Sequence, residues 1–186
     1  AVVTFDNSYN AESTLGASGQ TSIEAKKVLE NRDLIDKEFT FQVFDANNSV
    51  VATGTNDADG NITFEDIRYE ITQMLKDVKN GIATHTVVDG RDTYTYQYTV
   101  AEDITGLADE GITPVAHTFK IAVTVTDNGD GTLSIAVTYP GDGTELTFRN
   151  TYGESAEVTL PIIGEKKLEH ADNLTPDDIS GKFNFT

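Results

Sequence analysis

Alternation of apolar and polar residues with a period of two is the feature that most constrains the fold of this chain. Segment 94–100 alternates tyrosine and valine with threonine and glutamine, and segments 119–125 and 133–139 alternate apolar with mainly polar residues. Successive side chains of a β-strand point to opposite faces, so this pattern is typical of half-buried strands. The turn sequence Asp127-Asn-Gly-Asp-Gly131 lies between the last two segments and predicts a β-hairpin. Many short strands joined by Gly/Asp turns predict an all-β fold, an antiparallel β-sandwich.

Two segments depart from the strand pattern. Residues Glu70–Lys79 carry Ile71, Leu75 and Val78 at helical spacing, which predicts one short helix after a strand at 67–71. Segment 80–91 is polar and bounded by glycine, so we predict a surface loop there. The sequence Thr55-Asn-Asp-Ala-Asp-Gly60 is similar to the start of a calcium loop, but it lacks the acidic first ligand and the glutamate at position twelve. We therefore interpret it as a turn and expect no metal.

The composition excludes several classes of function. Thirteen Lys and Arg against 31 Asp and Glu give a net charge of −18, which disfavours binding to nucleic acid or to anionic lipid. The chain has no cysteine, so disulfides, thiolate catalysis and zinc–sulfur sites are excluded. No apolar run approaches the length of a membrane span, so we expect no membrane insertion in this segment. His85, His117 and His170 lack metal-ligand spacing and are interpreted as surface residues. We expect no cofactor, and no Ser-His-Asp arrangement, phosphate loop or carboxylate pair indicates an enzyme.

Short stretches near the two ends of the chain repeat one another. Residues 3–9 and 146–152 share the frame apolar-Thr-Phe-x-Asn-(Ser/Thr)-Tyr, and residues 23–29 are similar to residues 162–168. The two matches have the same order and nearly the same offset, which indicates a tandem repeat. We predict that residues 1–12 are the last strand of a preceding repeat, 13–153 a complete module and 154–186 the first strands of the next. The alternative is that two threonine-rich edge strands of one domain resemble each other by chance.

Three polar residues occupy positions where the alternation predicts an inward-facing apolar side chain. Lys27 shares the parity of its strand's apolar residues, and so do Glu102 and Asn150 on theirs. Each could be a strand-end residue that reaches solvent, or Lys27 and Glu102 could form an ordinary ion pair. Asn7 and Lys166 occupy the equivalent positions in the two partial repeats. A buried unpaired charge is costly, so such groups neutralise, pair or react.

Chemistry offers a use for this set of side chains. A lysine amine buried among apolar groups loses its proton more easily and becomes a nucleophile. A buried carboxylic acid stays protonated and can polarise the carbonyl of an asparagine side chain. Attack of the amine on that carbonyl, with loss of ammonia, would leave an isopeptide bond between Lys27 and Asn150. Lys26 is the competing choice for the amine, but its parity points outward.

At these residues the sequence resembles the pilin isopeptide-linkage domains of Gram-positive surface proteins, of the streptococcal T-antigen major pilin type (Cna-B-like). The resemblance covers essentially all of residues 20–153. It is carried by Ala25-Lys-Lys-Val-Leu-Glu-Asn-Arg-Asp-Leu34, Glu38-Phe-Thr-Phe41, Asp59-Gly-Asn-Ile-Thr-Phe64, Tyr98-Thr-Val-Ala-Glu102, Val123-Thr-Val-Thr-Asp-Asn-Gly-Asp-Gly-Thr-Leu133 and Phe148-Arg-Asn-Thr-Tyr152.

The resemblance implies an Ig-like β-sandwich in which Lys27 is the nucleophile, Asn150 the acceptor and Glu102 the acid. It also implies a stalk module of a pilus or adhesin on the cell wall of a Gram-positive bacterium, with neighbouring repeats or pilus subunits as partners. Any catalysis would be a single self-crosslinking event. A ligand-binding adhesin domain for host matrix protein or glycan is the alternative, with loop 80–92 as its candidate surface. A secreted hydrolase is a third, weaker hypothesis.

Overall fold

The computed structural model describes residues 9–153, which form twelve strands and one α-helix. The elements reflect the alternation in the sequence, since the strands that face the core bury alternate side chains and polar turns connect them. Two short 3-10 turns, Leu107–Glu110 and Pro140–Asp142, complete the regular structure. The strands are β1 (Glu12–Leu15), β2 (Ala25–Glu30), β3 (Thr40–Phe44), β4 (Val50–Asn56), β5 (Ile62–Phe64), β6 (Ile67–Glu70), β7 (Ala83–Val88), β8 (Arg91–Glu102), β9 (Ile112–Ala116), β10 (Thr118–Asp127), β11 (Leu133–Thr138) and β12 (Leu146–Tyr152); the helix α1 spans Ile71–Lys79.

The strands form two main sheets and a small third one. The large sheet has the order β11-β10-β8-β3-β4-β5, and β7 pairs with β8 beside this path. The smaller sheet has the order β2-β12-β9, and β1 pairs with β6 alone. All of these pairings are antiparallel except that of β12 with β2, which is parallel. The all-β sandwich with one short helix is confirmed, with one parallel pair that the sequence does not reveal.

A single hydrophobic core lies between the two main sheets. Phe148 of β12 packs against Phe41 of β3 and Phe119 of β10, with ring centroids 4.8 and 4.9 Å apart. Phe41 and Phe148 are completely buried. Aromatic pairs at such distances add to the free energy of simple area burial. This cluster fixes β12 of the small sheet against the middle of the large sheet.

Helix α1 confirms the predicted helix but buries a different face. Ile71 and Met74 point into the core, whereas Leu75 is 48% exposed. Of the three residues Ile71, Leu75 and Val78 predicted to form the buried side of the helix, Leu75 is therefore wrong. Met74 lines a cavity together with Tyr69 of β6 and with Tyr96 and Tyr98 of β8, so this side of the helix faces the tyrosines of the two strands.

The predicted surface loop at 80–91 is wrong, because most of it is strand β7 and the turn that leads into β8. Asp89 and Gly90 form the tight connection, both with positive φ, as a two-residue hairpin turn requires. Only Ala83 of β7 is buried, and its other five residues are exposed. A strand that is exposed on both faces has no reason to alternate, so its polar sequence resembles that of a loop.

Two predictions concern parts of the chain beyond residues 9–153. Asn7 and Lys166 lie outside the described residues, as do most of segment 1–12 and all of segment 154–186. Within the described part, Ala11 is buried in the same core as the rest of the sandwich. The division into 1–12, 13–153 and 154–186 stays a prediction.

Candidate functional site

The parallel pair β2–β12 brings Lys27 and Asn150 onto the same face of the small sheet. Lys27 lies opposite Phe148 in the register, and Leu29 lies opposite Asn150. Lys27 and Asn150 are therefore diagonal neighbours, two residues apart along the strands. Both side chains point into the sandwich, and both residues are at most 2% exposed. The alternation of each strand dictates this orientation.

Glu102 approaches the same point from the opposite sheet. It is the last residue of β8 and lies opposite Phe41 of β3. Its backbone N–H donates to the carbonyl of His117 at 2.9 Å, which fixes the end of the strand. The three polar residues predicted from the alternation are thus brought together between the sheets.

A compact polar cluster results, centred on the Glu102 carboxyl group. Lys27 Nζ forms an ion pair with Glu102 Oε1, and both side chains are inaccessible to solvent. Asn150 Nδ2 donates a hydrogen bond of 3.0 Å to the same oxygen. Glu102 Oε2 and Asn150 Oδ1 are buried without a partner. Such orphaned atoms are uncommon in folded proteins and often mark reactive sites.

Aromatic rings surround this cluster. Lys27 Nζ lies 4.3 Å from the centroid of the Phe39 ring, and Phe41 and Phe148 are completely buried beside it. Among these rings the cluster is sealed from water. Charges in such a medium are far more costly than in water, so the apolar wall disfavours the ionised forms.

Burial moves the two ionisable groups towards their neutral forms. Desolvation lowers the pKa of the Lys27 ammonium group, against the opposing effect of its hydrogen bond with Glu102. Desolvation also raises the pKa of the Glu102 carboxyl group, against the opposing hydrogen bond and charge of Lys27. Both shifts favour a neutral amine beside a neutral acid, which is the protonation state that amine attack requires.

Lys26, the competing amine, lies on the other face of β2. It is exposed, whereas Lys27 is 2% exposed. Adjacent residues of a strand point to opposite faces, so one cannot replace the other without a register slip. The Lys26 side chain is therefore directed away from the cluster.

The interpretation of His117 as a surface residue is wrong. It is half-buried between β9 and β10, and its Nδ1 is a buried atom without a partner. Its parity with Phe119 and Ile121 was the signal that could have placed it on the inward face. The positive charge that a protonated His117 carries would lower the pKa of the Glu102 carboxyl group.

The described residues contain no group of three or more His, Asp and Glu side chains that could hold a metal ion. Within residues 9–153, no helix is long and apolar enough to cross a membrane. The chemistry at the cluster rests on an amine, a carboxyl group and a carboxamide.

Comparison with known proteins identifies the family. Residues 23–153 match the family model described as FctA: Spy0128-like isopeptide containing domain. None of the curated proteins compared matches the chain. The match covers most of the chain, from just before β2 to just after β12. The chain therefore belongs to this family, which comprises pilin domains of Gram-positive cell-surface pili. The family is structural rather than catalytic.

Proposed function

We propose that this chain is a shaft module of a pilus that stabilises itself with an autocatalytic isopeptide bond between Lys27 and Asn150, with Glu102 as the acid. The observation that carries the proposal is the convergence of an amine, a carboxyl group and a carboxamide in one buried, aromatic-walled cluster. Burial of these groups costs free energy of desolvation. A fold in which they had no function would be more stable with apolar residues at these positions.

The proposed reaction begins with proton transfer within the ion pair. Lys27 gives one proton to Glu102, which leaves a neutral amine and a neutral carboxylic acid. The amine lone pair attacks Cγ of Asn150 while Glu102 donates a hydrogen bond to Oδ1. Collapse of the tetrahedral intermediate breaks the Cγ–Nδ2 bond. Lys27 loses its second proton, through Glu102, to the departing nitrogen, so ammonia leaves and one amide bond has formed.

The orientation of the Asn150 carboxamide decides when the reaction can begin. Nδ2 now faces Glu102, and Oδ1 has no partner. Rotation of the carboxamide by half a turn would place Oδ1 beside a protonated Glu102, which could then polarise the carbonyl. Folding supplies the proximity, because fixed orientation replaces a very high effective concentration of amine.

At the level of the parent protein, we propose a tandem array of the T-antigen pilin type on the cell wall. Residues 13–153 are the complete module, and Asn7 and Lys166 belong to the crosslinks of its neighbours. Neighbouring repeats or pilus subunits are then the partners. The repeated motifs in the sequence support this arrangement.

Intact mass of the denatured protein tests the bond. We expect the wild-type chain to be lighter than its calculated mass by one ammonia, with one bond per chain. Lys27→Ala, Glu102→Ala and Asn150→Ala should each have the full calculated mass. Lys26→Ala is the matched control, and it should keep the ammonia deficit because its side chain points outward.

Two outcomes would contradict the proposal. A wild-type chain at its full mass would remove the bond and leave Lys27 and Glu102 as a buried ion pair. A deficit that survives Lys27→Ala but disappears in Lys26→Ala would assign the amine to the other lysine. Peptide mapping of a protease digest would locate the crosslinked pair directly.

A further inference from the structure

The turn at residues 57–61, which connects β4 to β5, touches the backbone of the proposed nucleophile. Lys27 N–H donates a 2.7 Å hydrogen bond to the carbonyl of Gly60. Lys26 and Asn61 form an isolated antiparallel bridge at the same place. The turn thus supports β2 on the side opposite β12.

Gly60 lies so close to Lys27 that no side chain fits between them. A Cβ atom built on Gly60 would lie 2.4 Å from the carbonyl oxygen of Lys27 and 3.2 Å from Leu34 Cδ1. Ordinary contact begins near 3.4 Å. The nearest atom belongs to the backbone of β2, so it could move away only if the strand moved.

A second turn in the same molecule has the same hydrogen bonds within the turn but none with Lys27. It therefore shows which residues the turn geometry alone requires. In the turn at 45–49, Asp45 Oδ1 accepts the N–H groups of the residues two and four positions later, at 2.8 and 2.9 Å. Asp57 Oδ1 accepts the equivalent pair in the turn at 57–61, at 3.0 and 2.8 Å. The backbone hydrogen bonds of the two turns also correspond one to one.

The two turns differ at the residue with left-handed backbone. That residue is Asn48 with φ 60° in the first turn and Gly60 with φ 85° in the second. Asparagine tolerates this region better than other residues with side chains. The turn itself therefore accepts a side chain at this position, and contact with the Lys27 carbonyl is what requires glycine at 60.

We infer that the turn at 57–61 is a positioning element for the crosslink. Close contact with Gly60 holds the backbone of Lys27 at the position from which the Lys27 amine reaches Asn150. Gly60 touches none of the reacting atoms and acts only through β2. The inference rests on the proposed function, because it assigns a role in the reaction proposed above.

The test compares the same substitution at two glycines. Gly60→Asn introduces a side chain that the equivalent turn already carries, so backbone strain is small. Gly90→Asn is the control, since Gly90 has φ 76° in a hairpin turn and no atom within 4 Å of a built Cβ. Each chain is made by cell-free synthesis, and intact mass follows the loss of ammonia from the earliest minutes.

We expect Gly90→Asn to form the bond at the wild-type rate and Gly60→Asn to form it on the order of 100-fold more slowly, since a displacement of about 1 Å costs that much in well-oriented reactions. Equal rates for the two variants would overturn the inference while leaving the bond in place. Absence of the bond from the wild type and from Gly90→Asn would instead contradict the proposed function.

A second pair of variants keeps the test valid if circular dichroism shows that Gly60→Asn does not fold. Asp57→Ala removes the carboxylate that holds the turn at 57–61, and Asp45→Ala removes its counterpart in the turn at 45–49. Both aspartates are half-buried. Slower bond formation in Asp57→Ala than in Asp45→Ala supports the inference, and equal rates refute it.

Discussion

At the residue scale, Lys27, Glu102 and Asn150 put reactive polar side chains at buried positions. Apolar side chains at the same positions would give a more stable fold. An ion pair that is removed from water recovers its desolvation cost only with excellent geometry and full hydrogen bonding. Here Glu102 Oε2 and Asn150 Oδ1 remain without partners. Formation of an amide between Lys27 and Asn150 would eliminate the buried cation and with it the cost of keeping that charge out of water.

The raised pKa of Glu102 gives a pH-dependent prediction. In a chain carrying Asn150→Ala and Lys27→Met, Glu102 loses its cation, and burial keeps the pKa of its carboxyl group above the ordinary 4.5. The folded state then holds a proton that the unfolded state has released. The free energy of unfolding should therefore fall as the pH rises above 4.5, by up to about 1.4 kcal/mol per pH unit, until the raised pKa is passed.

Urea unfolding across this pH range would measure the slope. The control adds Glu102→Gln to the same chain, which removes the titrating group while leaving every other ionisable group in place. The difference between the two chains isolates Glu102. A difference that does not change with pH would contradict the raised pKa.

At the element scale, strand β12 and helix α1 are the two elements whose placement matters most for the site and for the core. Strand β12 lies between β2 and β9, and a register shift at Arg149 and Asn150 interrupts its pairing with β9. Bulges of this kind are frequent next to functional sites because they redirect a side chain. Helix α1 covers the other end of the core, where Tyr69 and Tyr98 share a hydrogen bond of 3.0 Å.

The burial of Met74 predicts how strongly helix α1 is coupled to the core. Met74 is completely buried, whereas its neighbour Leu75 is 48% exposed. Met74→Ala should lower the free energy of unfolding by about 2–5 kcal/mol, because it leaves a cavity under the helix. Leu75→Ala should change it by less than about 0.5 kcal/mol. Both are measured by urea unfolding in the Asn150→Ala background, which cannot crosslink, and similar effects of the two variants would contradict this packing.

At the scale of the whole molecule, the proposed bond joins β2, the first strand of the small sheet, to β12, the last strand of the described residues. Strands β2 and β12 are parallel neighbours, so tension on the ends of the module shears one past the other. A bond between Lys27 and Asn150 bridges this pair. Force would then pass through the bond, and the residues between the two positions would be shielded from extension.

Single-molecule stretching tests the mechanical role. The wild-type module should not extend between residues 27 and 150, whereas Asn150→Ala should release roughly 400 Å of chain when the fold breaks, at about 3.3–3.6 Å per residue. Lys26→Ala should behave like the wild type. Extension of the wild type by the same length would show that no bond carries the load.

The sequence alone determined the fold class, most strands and the three inward-facing polar positions, because side-chain alternation is a local property of each strand. It failed at β7, where both faces are exposed and the alternation disappears, and at Leu75, where the tilt of the helix decides which side is buried. It also did not reveal that β12 pairs with β2 in parallel, since strand pairing depends on contacts between residues more than a hundred positions apart. Only the tertiary structure brings Glu102 across the sandwich to Lys27 and Asn150, and only it explains why residue 60 is glycine.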